Sequence, residues 1–167
     1  MPHVASLTYK PADLERQPAE RYSRVAVARV VLVAGHGVAG DTKGQAGDRQ
    51  LNVMLAETVE QLRSEGFRTT PGELGEQIVI AGLPANAVAS GVRLRLGESA
   101  VIELVEDREP CRRFARIQGK PTNTGRGRIG FMVRVLVGGE VAVGSAVCVE
   151  QIPAESDSTS QDITSDA

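Results

Sequence analysis

The chain is cut into short runs of β-branched and aliphatic residues, most of them stopped by glycine, and that rhythm confines it to a β-rich fold. "HVASLTY" (3–9), "RVAVARVVLVAG" (24–35), "RQLNVML" (49–55) and "EQIVIAGL" (76–83) each read as one strand. "GVRLRLGESAVIELVED" (91–107) reads as a hairpin, with Val92, Leu94 and Leu96 on one face and Arg93 and Arg95 on the other. "RIGFMVRVLV" and "EVAVGSAVCVEQI" flank Gly138-Gly139, a second hairpin signal. One segment departs from the rhythm. "AETVEQLRSEG" (56–66), with Leu55, Val59 and Leu62 at helical spacing and Gly66 as a stop, predicts a helix. Many short strands with so little helix point to a barrel or sandwich rather than to alternating β-α units.

A length of 167 residues suits one domain with a proper core. Aromatic residues are only 3% of the chain, so Val, Leu, Ile and Ala must build that core. Residues 1–24 read as an opening strand and a polar connection, "KPADLERQPAERYS", lying over the surface. Residues 25–152 read as the β domain, and 153–167, rich in Ser, Thr and Asp without periodicity, as a disordered tail.

The formal net charge of −2 gives no reason to expect a nucleic-acid or membrane protein, but it conceals an asymmetry. The tail holds four acids (Glu155, Asp157, Asp162, Asp166) and no base, so without it −2 becomes +2. From Glu106 to Arg134 eight Lys/Arg face three Asp/Glu, a local balance of +5. In the middle of that basic stretch, "EDREPCRRF", stands Cys111. A neighbouring guanidinium favours thiolate over thiol, and the thiolate is the form that attacks or ligates. The other reading is an incidental surface cysteine in a basic loop. With only Phe114 and Phe131 nearby, stacking platforms for bases are scarce, and a small phosphorylated ligand fits the arginines better.

Other candidate motifs resolve into structural readings. Gly35-His-Gly37-Val-Ala-Gly40 matches G-x-G-x-x-G, but "DTKGQAGD" follows it and opens no helix, so the segment is a loop and not a dinucleotide site. Asp41 and Asp48 bracket that loop and read as turn caps, with metal ligation or base chemistry as the other reading. His3 and His36 lack partners at ligand spacing, which argues against zinc and against a Cys-His nucleophile pair, although His36 keeps a chance of lying near a site. Cys148 shares its strand face with Ala142, Gly144 and Ala146 and reads as a small buried residue. Two cysteines, no apolar run of membrane length and no signal core in the N-terminal residues together predict a soluble, cytoplasmic protein with reduced thiols.

Taken in order, "GHGVAGDTKGQAGDRQLNVML", "PGELGEQIVIAGL", "GVRLRLGESAVIELVEDREPCRRF" and "GFMVRVLVGGEVAVGSAVCV" resemble a MOSC domain. That is the C-terminal domain of molybdenum cofactor sulfurases, also found as small stand-alone bacterial proteins. The resemblance runs from about Val25 to Val149 and implies a mainly β, barrel-like fold with one or two short helices. It implies that Cys111 is the functional cysteine, carrying persulfide sulfur in some members and ligating molybdenum of a bound pyranopterin in others, where N-hydroxylated bases are reduced with electrons from a redox partner. By motif position, Arg49, Gly75, Glu76 and Gln77 would face the cofactor pocket, with Arg112 and Arg113 as phosphate anchors beside Cys111. A thiolate is a soft ligand suited to molybdenum or to terminal sulfur, and arginines suit phosphate. Gln77 stands where the family commonly has Asn. The pyridoxal-phosphate domain that supplies sulfur in full-length sulfurases is absent from this chain.

Two classes of function remain at this stage. One is a MOSC-type protein handling molybdenum cofactor or sulfur through Cys111, with a small-molecule substrate and a redox or sulfur-donor protein as partner. The other is a non-catalytic β-barrel module that binds an anionic ligand or a partner protein. A self-contained hydrolase is disfavoured, because no His-assisted nucleophile is visible.

Overall fold

The computed structural model describes residues 1–14 and 21–150. In chain order the elements are β1 (His3–Tyr9), β2 (Val25–Ala26), β3 (Arg29–Val33), β4 (Gly37–Val38), β5 (Leu51–Leu55), α1 (Ala56–Ser64), β6 (Ile78–Ala81), β7 (Arg93–Leu96), β8 (Ala100–Asp107), α2 (Arg112–Gln118), β9 (Phe131–Val137), β10 (Gly139–Ala142) and β11 (Val147–Glu150). The tail from 153 lies outside the described residues, as does part of the connection after β1.

An eight-stranded sheet runs in the order β11-β7-β8-β9-β5-β6-β1-β2, and a smaller sheet in the order β10-β3-β4. Within these ladders β5 and β6 pair parallel and the rest antiparallel. The fold is therefore mainly β, as the short runs predict. Among the described residues no closed barrel forms. The large sheet curls instead until His3 meets Ala146 in an isolated bridge, and Val4 N–H donates to the Ser145 carbonyl at 2.9 Å.

The strand β5 explains the layering. All five of its residues are buried, because Leu51, Val53 and Leu55 face the main core while Met54 faces a second one. A strand covered on both faces reads as a continuous apolar run, which "LNVML" is. The second core joins Met54 and Val79 of the sheet to Val59 and Leu62 of α1, Phe67, Leu74, Ile129 and Phe114 of α2. Leu55 belongs to the strand rather than to the helical face expected of it.

Two expectations are corrected here. The hairpin at Gly138-Gly139 does not form, because β9 already has β8 on one edge and β5 on the other. The outgoing β10 pairs with β3 instead, Val141 opposite Val30. "EVAVGSAVCVEQI" then breaks at Gly144, where φ is +90°, so β10 and β11 join different sheets. The second correction follows from that break. Cys148, expected in the interior, lies exposed on the edge strand β11. Cys111 and Cys148 are both free thiols. No helix among the described residues is long and apolar enough to cross a membrane.

Candidate functional site

Cys111 is held by the residue three positions after it. Phe114 is fully buried in the second core, with its ring 6.3 Å from that of Phe67. Burying such a ring contributes about 1.5–3 kcal/mol, which fixes the first turn of α2 and hence the residue before it. Gly125 makes room, since a Cβ there would stand 2.8 Å from the Phe114 ring. At the far end Gln118 clamps α2, accepting the Arg68 N–H at 2.7 Å and donating to the carbonyls of Arg68 and Glu73. The thiol itself stays exposed. The basic loop expected around Cys111 is thus half helix.

The thiol opens onto a cleft of about 500 Å³ lined mainly by side chains from four separate stretches of chain, with Met132 of β9 beside them. Lys10, Tyr22 and Arg24 come from the N-terminal connection, and Lys43 and Arg49 from the glycine loop. Asn52 and Gln77 form the base, and Arg108 and Arg113 flank Cys111. Tyr22 ties the first stretch to the last. Its hydroxyl accepts a hydrogen bond from Arg108 Nη2 at 3.0 Å, and the Arg113 guanidinium lies 5.1 Å from its ring centre. Arg108 also donates to the Leu74 carbonyl, closing the wall.

The cleft is strongly cationic. Six of its lining residues are Lys or Arg, and Glu109 is the acid among them. Burial pushes the Lys10 ammonium below its usual value, with Lys43, Arg113 and Arg24 adding to the effect and Asp41 opposing it. Arg24 is the extreme case. Its side chain is 8% exposed, and the Asp41 carboxylate stands 3.8 Å away. Burial disfavours its charge, and Asp41 and Glu76 support it.

A family model for the MOSC domain matches residues 34–148, more than half of the chain. The chain belongs to the MOSC domain family. Its fold is similar to that of the YuaD protein of Bacillus subtilis, with a TM-score of 0.69 at 17% identity over 88% of this chain and 94% of that one. YiiM from Geobacillus stearothermophilus matches with a TM-score of 0.68 at 20% identity, over 90% of this chain and 76% of that one. YiiM from Escherichia coli gives 0.65 at 20% identity, over 91% and 71%. No curated protein matches.

Of the residues that the MOSC resemblance assigns to the pocket, the cleft gathers Cys111, Arg49, Gly75, Gln77 and Arg113. Two do not line it. Arg112 opens α2 as an exposed residue outside the lining. Glu76 is turned inward, where its carboxylate accepts the N–H of Gly72 at 2.7 Å and of Leu74 at 3.1 Å. It holds the 70–75 turn rather than a ligand. Gly75 contributes space: with φ at +81°, a Cβ there would meet Arg108 Nη2 at 2.7 Å and the Tyr22 ring at 3.0 Å. Arg49 stands at the mouth, paired with Glu106 at 3.2 Å, both about half exposed.

The aspartates of the glycine loop divide. Asp41 caps a turn, accepting the Lys43 N–H at 2.8 Å, and Asp48 pairs with Arg134 at 3.1 Å in solvent. The His36 imidazole packs on Gly44 at the cleft edge. Lys10, Tyr22, Arg24 and Lys43 were not foreseen as site residues. The connection expected to lie over the surface instead sends Tyr22 to Arg24 into the wall, with Ser23 buried. A basic residue next to the β-branched run "VAVARVVLV" was the one local signal for Arg24.

Proposed function

We propose that this MOSC protein binds a phosphorylated pyranopterin in the cationic cleft, with the Cys111 sulfur as a ligand to its molybdenum. The observation that carries the reading is the meeting of an exposed thiol with six cationic side chains around one cavity of about 500 Å³. That volume lies in the range of pockets that enclose cofactor-sized molecules, roughly 300–1,000 Å³. The donor set fits the group: a soft sulfur for the metal, guanidinium and ammonium groups for phosphate, and the buried side chain of Asn52 at the base, whose Oδ1 lacks a partner. When bound, the cofactor would supply two-electron redox chemistry toward a small substrate such as an N-hydroxylated base, drawing electrons from a partner protein.

This chain's own residues bind and orient. Phe114 and Gln118 set the position of Cys111, and Tyr22 and Arg108 close the wall beside it. Arg49 and Glu106, half exposed at the mouth, stand where a substrate or partner would approach.

A second reading rests on the exposure of the Cys111 thiol. As a sulfur carrier in the cytoplasm, the thiolate would attack the outer sulfur of a donor persulfide. The donor S–S bond breaks, the donor leaves as a thiol, and Cys111 keeps the persulfide.

The test is metal and pterin analysis of protein purified from a host that makes molybdenum cofactor, beside Cys111→Ser. Stoichiometric molybdenum and pterin, with the metal lost in the variant, is the expected result. Protein without either, but with a persulfide on Cys111 by mass spectrometry, transfers the assignment to sulfur carriage. Absence of all three leaves a plain anion-binding module.

A further inference from the structure

The strand β8 carries an irregularity that separates two neighbouring acids. Leu104 lies opposite Val133 and Glu106 opposite Met132, so two steps along β8 are matched by one along β9, with Val105 as the extra residue of a bulge. Regular alternation would turn Glu106 to the face of Leu104 and Asp107 away from it. The bulge reverses that. Glu106 shares the face of Met132 at the cleft, where it pairs with Arg49. Asp107 comes opposite Phe131, and Phe131 opposite Val53, on the face that packs against the main core.

A second cavity, of about 180 Å³, opens on that face. Its floor is Val53, Leu55, Leu94 and Leu104 of the main core, and the half-buried Val88 and Phe131 wall it. An apolar cavity of about 150 Å³ is enough to hold a benzene molecule, so this one has room for a single ring. Two charged side chains, Asp107 and Arg128, stand at its rim, and they differ. Arg128 is engaged: Nη1 donates to both Glu65 carboxylate oxygens, at 2.8 and 2.7 Å, and Nη2 to the Thr124 carbonyl at 2.6 Å. The exposed Asp107 carboxylate has no hydrogen bond or ion pair among the described residues. Because the charges of Arg128 and Glu65 cancel, the rim is left with one negative charge. A carboxylate beside an aromatic ring suits an ammonium group, which the first attracts by charge and the second by its ring face.

We propose that this cavity is a second binding site, separate from the Cys111 cleft, and that it takes a small organic amine. The apolar body lies against Phe131 and the core floor, and the ammonium group sits on Asp107. The two sites select opposite signs of charge. Six cationic side chains keep an ammonium out of the cleft, and Asp107 repels a phosphate. Neither property depends on what fills the cleft.

Titration of the isotope-labelled full chain with benzylamine and with benzyl alcohol, followed by amide chemical shifts, tests the site, since the two ligands differ only in the polar group. Benzylamine should shift the amides of Val53, Gly130 and Phe131 and bind at least about fivefold more tightly than the alcohol, the scale of one exposed ion pair. Asp107→Asn should make the two ligands equal within about twofold. Glu106→Gln, the same loss of charge one residue away, should keep the preference, because the bulge turns that side chain to the other face. Both side chains are exposed, so neither variant threatens the fold. Equal affinity of amine and alcohol for the wild-type protein, a preference that survives Asp107→Asn, or one lost in Glu106→Gln overturns the proposal. So do shifts gathered at Asn52 and Arg113 in the cleft, or no shift with either ligand.

Discussion

Gln77 donates its side-chain amide to Asp41 at 3.3 Å, joining two residues that are 36 positions apart. Its carbonyl oxygen accepts the Asn52 N–H at 2.8 Å, so one side chain links the glycine loop, β5 and the start of β6 beneath the cleft. All three residues are buried. Gln77→Leu keeps the volume and removes both hydrogen bonds, leaving an amide N–H and a carboxylate oxygen short of a partner. The expected cost is about 2–4 kcal/mol in urea unfolding, because each orphaned buried group costs about 1–3 kcal/mol. A loss under about 0.5 kcal/mol, the size of an ordinary surface change, would show that this link does not hold the cleft base.

Glu76 and Arg112 are the two expected pocket residues that the cleft leaves out, and they should behave oppositely. Glu76 spans the 70–75 turn with two carboxylate contacts, and its backbone carbonyl accepts the Thr8 hydroxyl. Glu76→Ala should destabilise the fold by about 2–4 kcal/mol, since hydrogen bonds to a charged, buried group are the costly ones to lose. Arg112→Ala should change stability by less than about 0.5 kcal/mol. Thermal and urea unfolding of the pair decide it, and equal effects would return Glu76 to the pocket.

How much of this was legible beforehand divides by range. The strands and α1 declare themselves locally, through alternation in "RLRL" and a glycine stop at Gly66. The helix α2 does not, because in its seven residues the buried positions Phe114, Ile117 and Gln118 complete barely one repeat. The partner of β10 is also hidden, since two glycines can announce a turn but not which sheet edge is free. The site shows the same limit. Cys111 and Arg113 are near neighbours in sequence, and the family resemblance adds Arg49, Gly75 and Gln77. Lys10 and Arg24 come from the other end of the chain, and only the curl of the sheet brings them to the thiol.

Glu103 makes stability depend on acid. Its side chain is 11% exposed and accepts Arg93 Nε at 2.8 Å and Arg134 Nε at 3.0 Å. The hydrogen bond from Arg93 and then that from Arg134 hold its carboxyl below the usual value, against the pull of burial. The folded state therefore binds the proton less readily than the unfolded chain. The stabilisation is present above the unfolded value, about 4.3, and is lost as pH falls through the folded one. Glu103→Gln should be the less stable protein near neutrality, with the gap closing as pH is lowered from about 6 to about 3. Urea midpoints at several pH values measure that gap. A difference constant across the series would remove the ion pair from the account.

Gly75 joins the backbone of the 70–75 turn to the walls of the cleft. Its φ of +81° lies in the left-handed region, where a side chain adds about 1–2 kcal/mol of strain. The clash matters more than the strain. The new Cβ would press on Arg108 Nη2 at 2.7 Å and on the Tyr22 ring at 3.0 Å, the pair that closes the wall beside Cys111. Neither is free to retreat, because Arg108 is tied to the Leu74 carbonyl and Tyr22 lies next to Ser23 in the interior. Gly75→Ala should therefore lose about 1–3 kcal/mol of stability and also separate Tyr22 from Arg108. Because the chain has no Trp and two Tyr, tyrosine fluorescence and its quenching by iodide report the wall directly. The variant should show a more quenchable Tyr22 and a Cys111 that a bulky maleimide reaches faster. A protein with lowered stability but wild-type quenching and maleimide rates would confine the role of Gly75 to its turn.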